Sequence, residues 1–479
     1  MKLKQLFEVF AVLLLFYFPS MGLAASITAT NSGNWGAANI WDSGTAPGAN
    51  DVVFIAAGVN VTVNTNASAQ SISDDTTGGT VTMAPNSSLI IFGNDATHQL
   101  STLNTTAAGN TVIYAGNPFF AKQCDYYNLV FANTNYVDPF PPFSEYQDFN
   151  NFSSPQGPTP MTIAGNMTLI GHTKVQQGSG GAPITINGNL TIGAGCAWDS
   201  SGDSLMVVSN LYVYGLLEDL NGALGANFFG GDVIVAGPST SVLAYTGGPY
   251  TNGWFVSDVI TWSIGGSLTN NGSIFGSGYG SISFEGTGTI GGTNAVKIPT
   301  ITVDGTYAIG TTVTLTTNTP TLNGTLVFDI AHPHQVILSS NIGTLFYNGL
   351  LNVINTGGEP PSGASFKLFD AASYDGTFAS TSFPSLPAGL SWIDNTLITG
   401  SLDVTGTIIQ PPTLTLSRNG GLLTLSWDST TYPGYSVQGQ TNSGGISTNW
   451  GPTGSGTISP FSIGIDPKKP AVFFRLSNP

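Results

Sequence analysis

Short runs of alternating apolar and polar residues, each ended by Gly or Asn, recur through most of this chain. Residues 161–172 (MTIAGNMTLIGH) and 184–195 (ITINGNLTIGAG) show the pattern most clearly. Alternation with a period of two predicts β-strands that bury one face. Gly and Asn suit tight corners between strands because they tolerate a positive φ. The repetition predicts a stacked β-coil, a solenoid. Further turns are predicted at 205–215, 230–236, 261–275, 281–290 and 298–316.

Two aromatic stretches interrupt this rhythm, residues 134–160 and residues 243–262. Insertions into a repeat array become loops on one face, which is often the binding face. Tyr, Phe and Trp present flat apolar surfaces that stack on sugar rings or fill a pocket of a protein partner. Packing of the same rings against the solenoid wall is the alternative interpretation. The candidate ligand-binding residues are Tyr136, Phe140, Phe143, Tyr146, Trp254 and Phe255.

A different pattern begins after the proline pair Pro411-Pro412, which marks a linker. Residues 413–479 contain about five short alternating strands and several aromatic residues suited to a small core. We therefore predict a separate β-sandwich over residues 411–479. The aromatic residues expected in its core are Trp427, Tyr435, Trp450, Phe473 and Phe474.

The first 24 residues have the layout of a secretory signal peptide. Two lysines precede an apolar run from Phe10 to Phe18, and small residues follow at Gly22 and Ala24. Cleavage after Ala24 fits this layout, and cleavage after Ala25 is the near alternative. A membrane anchor is the other interpretation, but the run is short for spanning a bilayer. We expect a secreted or cell-surface protein with no integral membrane segment after signal removal.

Composition narrows the classes of partner. Charged residues make up 8% of the chain, against roughly 25% in ordinary domains, so hydroxyl and amide groups must provide solubility. The formal net charge is −16, and nucleic-acid binding is not expected because it needs clustered cations. Acidic surfaces attract divalent cations instead. Asp199 and Asp203, around a Ser-Ser-Gly turn, are a candidate structural Ca²⁺ site, and no other cofactor is expected. Between Lys4 and Arg418 the only cations are Lys122, Lys174, Lys297 and Lys367.

Polysaccharide hydrolases and lyases are the main catalytic alternative. A hydrolase needs two carboxyl groups roughly 5–10 Å apart. Asp74 and Asp75 are the only adjacent aspartates, and we expect them in a solvated turn. A lyase needs a basic residue, and the repeat region contains no Arg. His332 and His334 are too few for a metal centre. We therefore predict no catalytic residue.

The chain contains two cysteines, Cys124 and Cys196, which are 72 positions apart (196 − 124). With roughly 20–30 residues per turn of the solenoid, they lie several turns apart. Each turn rises roughly 4.8 Å, so a direct bridge is not expected. Two unpaired thiols that behave as small apolar side chains are the prediction.

Several segments resemble one group of secreted bacterial proteins. Trp35 and Trp41, followed by a Pro-Gly turn and Asp51-Val52-Val53, resemble the opening segment of such β-solenoids, and Tyr126 to Leu129 match a strand unit common in them. Residues 320–410 resemble the closing segment of the autotransporter-associated β-strand repeat proteins of Verrucomicrobia and their relatives. The motifs that carry this likeness are LNGTLVFDI (322–330), NGLLNVINTGG (348–358), SFKLFDAASYDGTF (365–378) and LPAGLSWIDNTLITGSLDV (386–404).

The resemblance implies an all-β chain: a right-handed parallel β-helix over 25–410 with an N-terminal cap (25–64), followed by an immunoglobulin-like sandwich. It also implies an extracellular location. We expect a structural or adhesive protein that binds polysaccharide or cell-surface components without catalysis. A polysaccharide-degrading enzyme and a non-catalytic carbohydrate-binding protein are the alternatives.

Overall fold

The chain is built almost entirely of β-strands, as the alternation predicts. In this computed structural model, 52% of the chain is strand and 1% is helix. Among the described residues no helix has the length and apolar character that crossing a membrane requires. The structure describes residues 24–74, 78–93, 100–116, 121–122, 124–133, 146–148, 160–171, 173–176, 183–200, 204–219, 227–236, 242–247, 261–278, 281–315, 320–331, 337–339, 343–408, 411–453, 458–469 and 471–477.

The chain divides into two compact units. The first comprises residues 1–359, 365–384 and 392–403, and the second comprises residues 360–364, 385–391 and 404–479. The first unit is a parallel β-solenoid of about ten turns. The prediction of an all-β parallel solenoid is confirmed.

The N-terminal part of the solenoid contains twelve strands and one short 3₁₀ turn (Ala38–Ile40). Trp35 and Trp41 are buried there with ring centroids 5.2 Å apart, and Trp41 Nε1 donates to the Trp35 carbonyl at 2.8 Å. The strands are β1 (Ser26–Ala29), β2 (Gly33–Asn34), β3 (Val52–Ile55), β4 (Asn60–Val63), β5 (Asn66–Ala69), β6 (Ser71–Asp74), β7 (Thr80–Met83), β8 (Ser88–Ile91), β9 (Thr102–Asn104), β10 (Thr111–Tyr114), β11 (Asn128–Asn133) and β12 (Tyr146–Asp148).

The central part repeats a unit of three short strands. These strands are β13 (Met161–Ile163), β14 (Met167–Gly171), β15 (Lys174–Gln176), β16 (Ile184–Ile186), β17 (Leu190–Ile192), β18 (Ala197–Asp199), β19 (Leu205–Val207), β20 (Leu211–Val213), β21 (Leu216–Asp219), β22 (Asn227–Phe229), β23 (Val233–Val235), β24 (Val242–Gly247), β25 (Thr261–Ile264), β26 (Leu268–Asn270), β27 (Ser273–Gly278), β28 (Ser281–Phe284), β29 (Thr287–Gly291), β30 (Val296–Ile298), β31 (Thr300–Val303), β32 (Thr306–Ile309), β33 (Val313–Leu315), β34 (Thr321–Leu322), β35 (Thr325–Asp329) and β36 (Ile337–Ser339).

The solenoid closes through eight further strands. They are β37 (Thr344–Tyr347), β38 (Leu350–Ile354), β39 (Ser365–Lys367), β40 (Phe369–Asp370), β41 (Ser373–Gly376), β42 (Ser380–Ser382), β43 (Leu390–Asn395) and β44 (Ser401–Gly406). Here β39 pairs with β44 in the antiparallel sense, whereas β37, β38 and β40 to β42 keep parallel partners.

Each turn contributes one strand to each of three sheets. Sheet one contains eight strands in the order β13-β16-β19-β22-β25-β28-β31-β34. Sheet two contains fourteen strands from β5 to β42, and sheet three contains ten strands from β12 to β40. All pairs within these three sheets are parallel where the register is given, so each strand stacks on the equivalent strand of the previous turn.

The core follows from this stacking. Residues that face inward on sheet one form a continuous buried column, from Ile163 through Ile186 and Val207 onward. The buried column continues in register with Phe229, Ile264, Phe284, Val303 and Leu322. Because sheets two and three add their own inward columns, one apolar core runs through the first unit from Ile27 to Leu402.

The second unit contains two three-stranded antiparallel sheets, which agrees with the predicted sandwich. Its core is formed by Leu425, Trp427 and Val437, with Tyr435 and Phe474 packed against them. The strands are β45 (Thr415–Asn419), β46 (Leu422–Ser426), β47 (Ser436–Thr441), β48 (Gly451–Pro452), β49 (Phe461–Gly464) and β50 (Val472–Ser477), in the orders β45-β46-β49 and β48-β47-β50.

The two aromatic stretches are not wholly insertions. Residues 146–148 and 242–247 form β12 and β24, which are regular members of sheet three. Trp262 belongs to β25 of sheet one and is fully buried, with its ring centroid 5.6 Å from that of Phe229. The second stretch therefore contributes at least one large aromatic side chain to the core.

Replacing Trp262 by alanine should open a large cavity in the apolar core behind sheet one. Truncation of a buried Trp lowers the free energy of unfolding by about 3–5 kcal/mol. Met206→Ala is the matched control, because Met206 lies in the same sheet but is 41% exposed, and it should change stability by less than about 1 kcal/mol. Urea denaturation followed by far-UV circular dichroism compares the two. Equal midpoints for both variants would contradict the placement of Trp262.

Candidate functional site

The aromatic candidates lie mostly outside the part of the chain that the structure describes. This applies to Tyr136, Phe140, Phe143, Trp254 and Phe255, and also to Asp203. Tyr146 and Asp199 are placed by their backbone alone, in β12 and β18 of sheet three. The proposed ligand surface on these aromatic residues therefore stays a prediction.

Sheet three brings together two acidic residues that sequence spacing did not connect. Asp199 on β18 pairs in register with Glu218 on β21. Neighbouring strands are roughly 4.8 Å apart, so this pairing places two acidic positions on adjacent turns. Register therefore pairs Asp199 with Glu218, whereas the sequence analysis grouped Asp199 with Asp203 as a candidate Ca²⁺ site. No group of three or more His, Cys, Asp or Glu suited to a metal is found within the described residues.

Asp74, the first of the two adjacent aspartates, has a structural role. It ends strand β6, and its two carboxylate oxygens accept from the Ser101 backbone N–H and hydroxyl, both at 2.8 Å. The expectation of a purely solvated turn is therefore incomplete for Asp74, because it ties together consecutive turns. Asp75 lies outside the described residues.

A continuous row of side chains on the outside of sheet one is the most extended feature of the surface. Because strands stack in register, one outward position per turn recurs along the whole sheet. Six of these eight positions carry hydroxyl groups, of which that of Ser283 is buried and donates to Glu285 Oε1 at 3.3 Å, and Met206 and Phe228 form an apolar step in the middle. We call this set the outer row; it consists of Thr162, Thr185, Met206, Phe228, Ser263, Ser283, Thr302 and Thr321.

The same face continues toward the N-terminus. Parallel bridges join Thr105 to Tyr126 and Tyr126 to Ile163, which links the sheet β2-β4-β7-β9 to sheet one. On that sheet Thr82 Oγ1 donates to Asn60 Oδ1 at 3.1 Å, and Asn104 Nδ2 lies 3.4 Å from Thr82 Oγ1. With roughly 4.8 Å per turn, the whole face extends for about 60 Å. It presents neutral hydroxyl and amide groups suited to hydrogen bonding with sugar hydroxyls.

The corners between sheets one and two are held by a chain of side-chain hydrogen bonds. Asn128 Oδ1 accepts the Asn166 N–H at 2.9 Å, and Asn166 Oδ1 accepts the Asn189 N–H at 2.8 Å. Asn210 and Asp232 continue the series at 3.0 and 2.8 Å. Each side chain satisfies a backbone N–H one turn further along. We call Asn128, Asn166, Asn189, Asn210 and Asp232 the corner ladder.

Glycine precedes three of the five ladder residues, at Gly165, Gly188 and Gly231, and close packing requires it there. A Cβ at Gly188 would lie 2.3 Å from the Gly165 carbonyl oxygen. Gly165 and Gly188 do not have a positive φ, so the expectation of left-handed backbone is wrong at this corner. It is correct at the following corner, where Gly171 and Gly195 have φ of 79° and 78°.

Both cysteines are unpaired, as predicted. Cys196 is fully buried, and burial raises the pKa of its thiol to about 11. Burial also raises the pKa of Cys124, whose Sγ lies 4.0 Å from Thr105 Oγ1. Neither thiol therefore has the lowered pKa typical of reactive cysteines.

The comparisons with known proteins add no assignment. No family model matches the chain, and no curated protein or solved structure matches it. The structure defines the class as a parallel β-solenoid followed in the chain by a small antiparallel β-domain.

The corner ladder predicts a specific response to mutation at Asn189. Asn189→Ala removes the acceptor for the Asn210 N–H and should cost about 1–2 kcal/mol of stability. Asn189→Asp keeps an acceptor oxygen, as the natural residue Asp232 does, and should cost clearly less. The urea denaturation midpoints of the two variants are compared with that of the parent protein to test this difference in stability. Equal destabilisation would show that the hydrogen bond contributes nothing.

The thiol environment predicts inertness toward thiol reagents. At pH 8 the raised pKa values keep both cysteines protonated, and burial of Cys196 blocks access. Ellman's reagent should label neither residue rapidly in the native protein and both after denaturation in urea. Rapid titration of two thiols before unfolding would contradict the buried placement, and fewer than two after unfolding would indicate a bridge.

Proposed function

We propose that this chain is a secreted or cell-surface structural and adhesive protein whose outer row binds neutral polysaccharide without cleaving it. The observation that supports this proposal is the register of the outer row, which repeats hydroxyl groups along one face of sheet one. The signal-like segment over residues 1–24 supports secretion.

A repeating surface of this kind favours a polymer as ligand. Each hydroxyl contributes little alone, because a typical hydrogen bond is worth only about 1 kcal/mol net. Repetition along a rigid stack adds such contacts without ordering each side chain from a free loop. Met206 and Phe228 offer an apolar step against which the flat face of a sugar ring can pack.

Charge favours a neutral polymer. None of the eight side chains of the outer row is charged. The chain as a whole carries −16, so an acidic polysaccharide would be repelled, most strongly at low salt. A neutral glycan meets no such barrier.

The role of the described acids supports a non-catalytic function. Asp125 Oδ1 accepts the Thr162 N–H at 2.8 Å, and Asp232 Oδ1 accepts the Ser267 N–H at 2.7 Å. Asp51 accepts from the N–H groups of Ala25 and Gly48. These carboxylates stabilise corners and turns. Asp199 and Glu218, paired in register, are the one observation that favours a polysaccharide hydrolase as the second candidate.

Retention on insoluble neutral polysaccharides tests the proposal. The mature protein is incubated with a panel of such polymers, and the bound fraction is measured together with new reducing or unsaturated ends. The triple variant Thr162→Val, Thr185→Val and Thr302→Val removes three hydroxyl groups of the outer row at nearly constant shape. We expect it to weaken binding by roughly tenfold or more.

The matched control is Thr168→Val with Thr191→Val, which changes equally half-buried threonines on sheet two. It should bind like the parent protein. Equal loss in both variants, or no retention by any polymer, would exclude the outer row as the binding surface. If new sugar ends form and are abolished by Asp199→Asn or Glu218→Gln, the protein is instead a hydrolase.

A further inference from the structure

Charge is distributed very unevenly along the chain. Residues 25–410 contain four cations and 23 acids, a net charge of −19, whereas residues 411–479 contain four cations and two acids, a net charge of +2. Such asymmetry between halves indicates a separate electrostatic role for the sandwich.

Three of the four sandwich cations lie at one end of one sheet. Strands β45 and β46 form a hairpin in which Asn419 pairs with Leu422, and every residue of β45 is exposed. Arg418 precedes this turn, and its Nε donates to the Gly420 carbonyl at 3.2 Å. The guanidinium therefore sits beside the hairpin turn.

A second turn lies directly beside the first. Leu422 pairs with Gly464 at the end of β49, and the Ile465 N–H donates to the Gly421 carbonyl at 2.8 Å. The turn continues through Lys468 and Lys469, whose N–H groups both donate to Asp466. We call Arg418, Leu422, Ile465, Lys468 and Lys469 the basic tip.

Apart from the hydrogen bond from Arg418 to the Gly420 carbonyl, the side chains of the basic tip make no hydrogen bond or ion pair within the described residues. Leu422 is 53% exposed and Ile465 is 39% exposed, and neither belongs to the core formed by Leu425, Trp427 and Val437. Within the described residues no salt bridge involves the three cations. Two exposed aliphatic residues and three exposed cations thus occur at the two neighbouring turns at this end of the sheet.

We propose that the basic tip docks on an anionic lipid surface and tethers the protein there. Aliphatic side chains enter the boundary between head groups and acyl chains, while Lys and Arg remain at the level of the phosphates. Each cation close to an anionic leaflet strengthens binding by roughly fivefold. The strongly acidic residues 25–410 are repelled by the same surface, so the sandwich alone provides attraction. A soluble polyphosphate would satisfy the cations but would leave Leu422 and Ile465 in water.

Sedimentation with vesicles tests this inference on the full mature chain. Vesicles of pure phosphatidylcholine are compared with vesicles that contain phosphatidylglycerol, at low and at high salt. We expect binding to the anionic vesicles that weakens with salt. The double variant Lys468→Gln with Lys469→Gln should lower the partition coefficient by roughly thirtyfold. Leu422→Ser with Ile465→Ser should also weaken binding at unchanged charge.

Matched controls separate the basic tip from general charge and hydrophobicity. Lys122→Gln with Lys297→Gln removes two cations from the solenoid, and Ile458→Ser removes an exposed side chain before the other end of β49. Both should bind as the parent protein does, and circular dichroism confirms folding of all variants. Equal binding to both vesicle types, or full binding by the Lys468/Lys469 variant, overturns the proposal. The proposal is also overturned if inorganic polyphosphate competes completely while Leu422→Ser has no effect. Salt-sensitive self-association of the protein in place of vesicle binding would overturn it as well.

Discussion

The structure depends on one constraint: the backbone N–H groups of the solenoid must find their acceptors on a neighbouring turn, either the one before or the one after. Within strands the parallel ladder provides these acceptors, but at the corners the ladder stops. There the corner ladder takes over, with the amide or carboxylate of one turn accepting the N–H of the equivalent residue in the next. Because each acceptor fixes the position of the next turn, the inward columns and the outer row inherit the same register. Core and surface are therefore specified together.

The sequence pattern predicted this architecture where strands contribute two inward residues. Residues 161–172 become β13 and β14, each with inward apolar residues separated by one outward residue. Sheet three was predicted only in part: β33 lies within the predicted turn 298–316, whereas β18 was not predicted. In β18 the neighbouring residues Ala197 and Trp198 are both buried, so its sequence does not alternate. Most of β24 lies within residues 243–262, which the sequence analysis attributed to an insertion because of their aromatic content. The glycines before Asn166, Asn189 and Asp232 were located correctly but for the wrong reason, since close approach and not positive φ requires them.

The candidate site was harder to predict than the fold because it depends on register between turns. Thr occurs throughout the chain, and only the pairing of Thr162 with Thr185, and of Ser283 with Thr302, shows that these hydroxyls share one row. Residue type was also an uncertain guide to whether an aromatic side chain lies on the surface, because this too depends on register between turns. Trp262 looks like a loop residue in the sequence, but its pairing with Asn227 places it in the inward column. Asp199 and Glu218 are 19 positions apart, and no local pattern connects them.

A change of corner geometry near residue 286 shows which of these features the chain maintains. Beyond Asp232 the series continues through Ser267, whose N–H donates to Asp232 Oδ1 at 2.7 Å and whose Oγ accepts the Thr289 N–H at 3.1 Å. Further along the chain a different pair of contacts appears, in which Asn323 Nδ2 donates to Asp304 and Asn348 Nδ2 donates to Asn323, both at 2.9 Å. Tyr307 lies at the transition: its buried hydroxyl is 3.1 Å from the Ile264 carbonyl and 3.0 Å from the Gly266 carbonyl, two turns away, and accepts the Gly286 N–H at 3.3 Å. Its ring also packs on Phe284 at 5.0 Å between centroids. One large side chain thus accepts the Gly286 N–H and binds backbone carbonyl groups two turns away. The outer row passes from Ser263 to Ser283 and Thr302 without losing register, so its spacing is the same on both sides of this change in corner contacts.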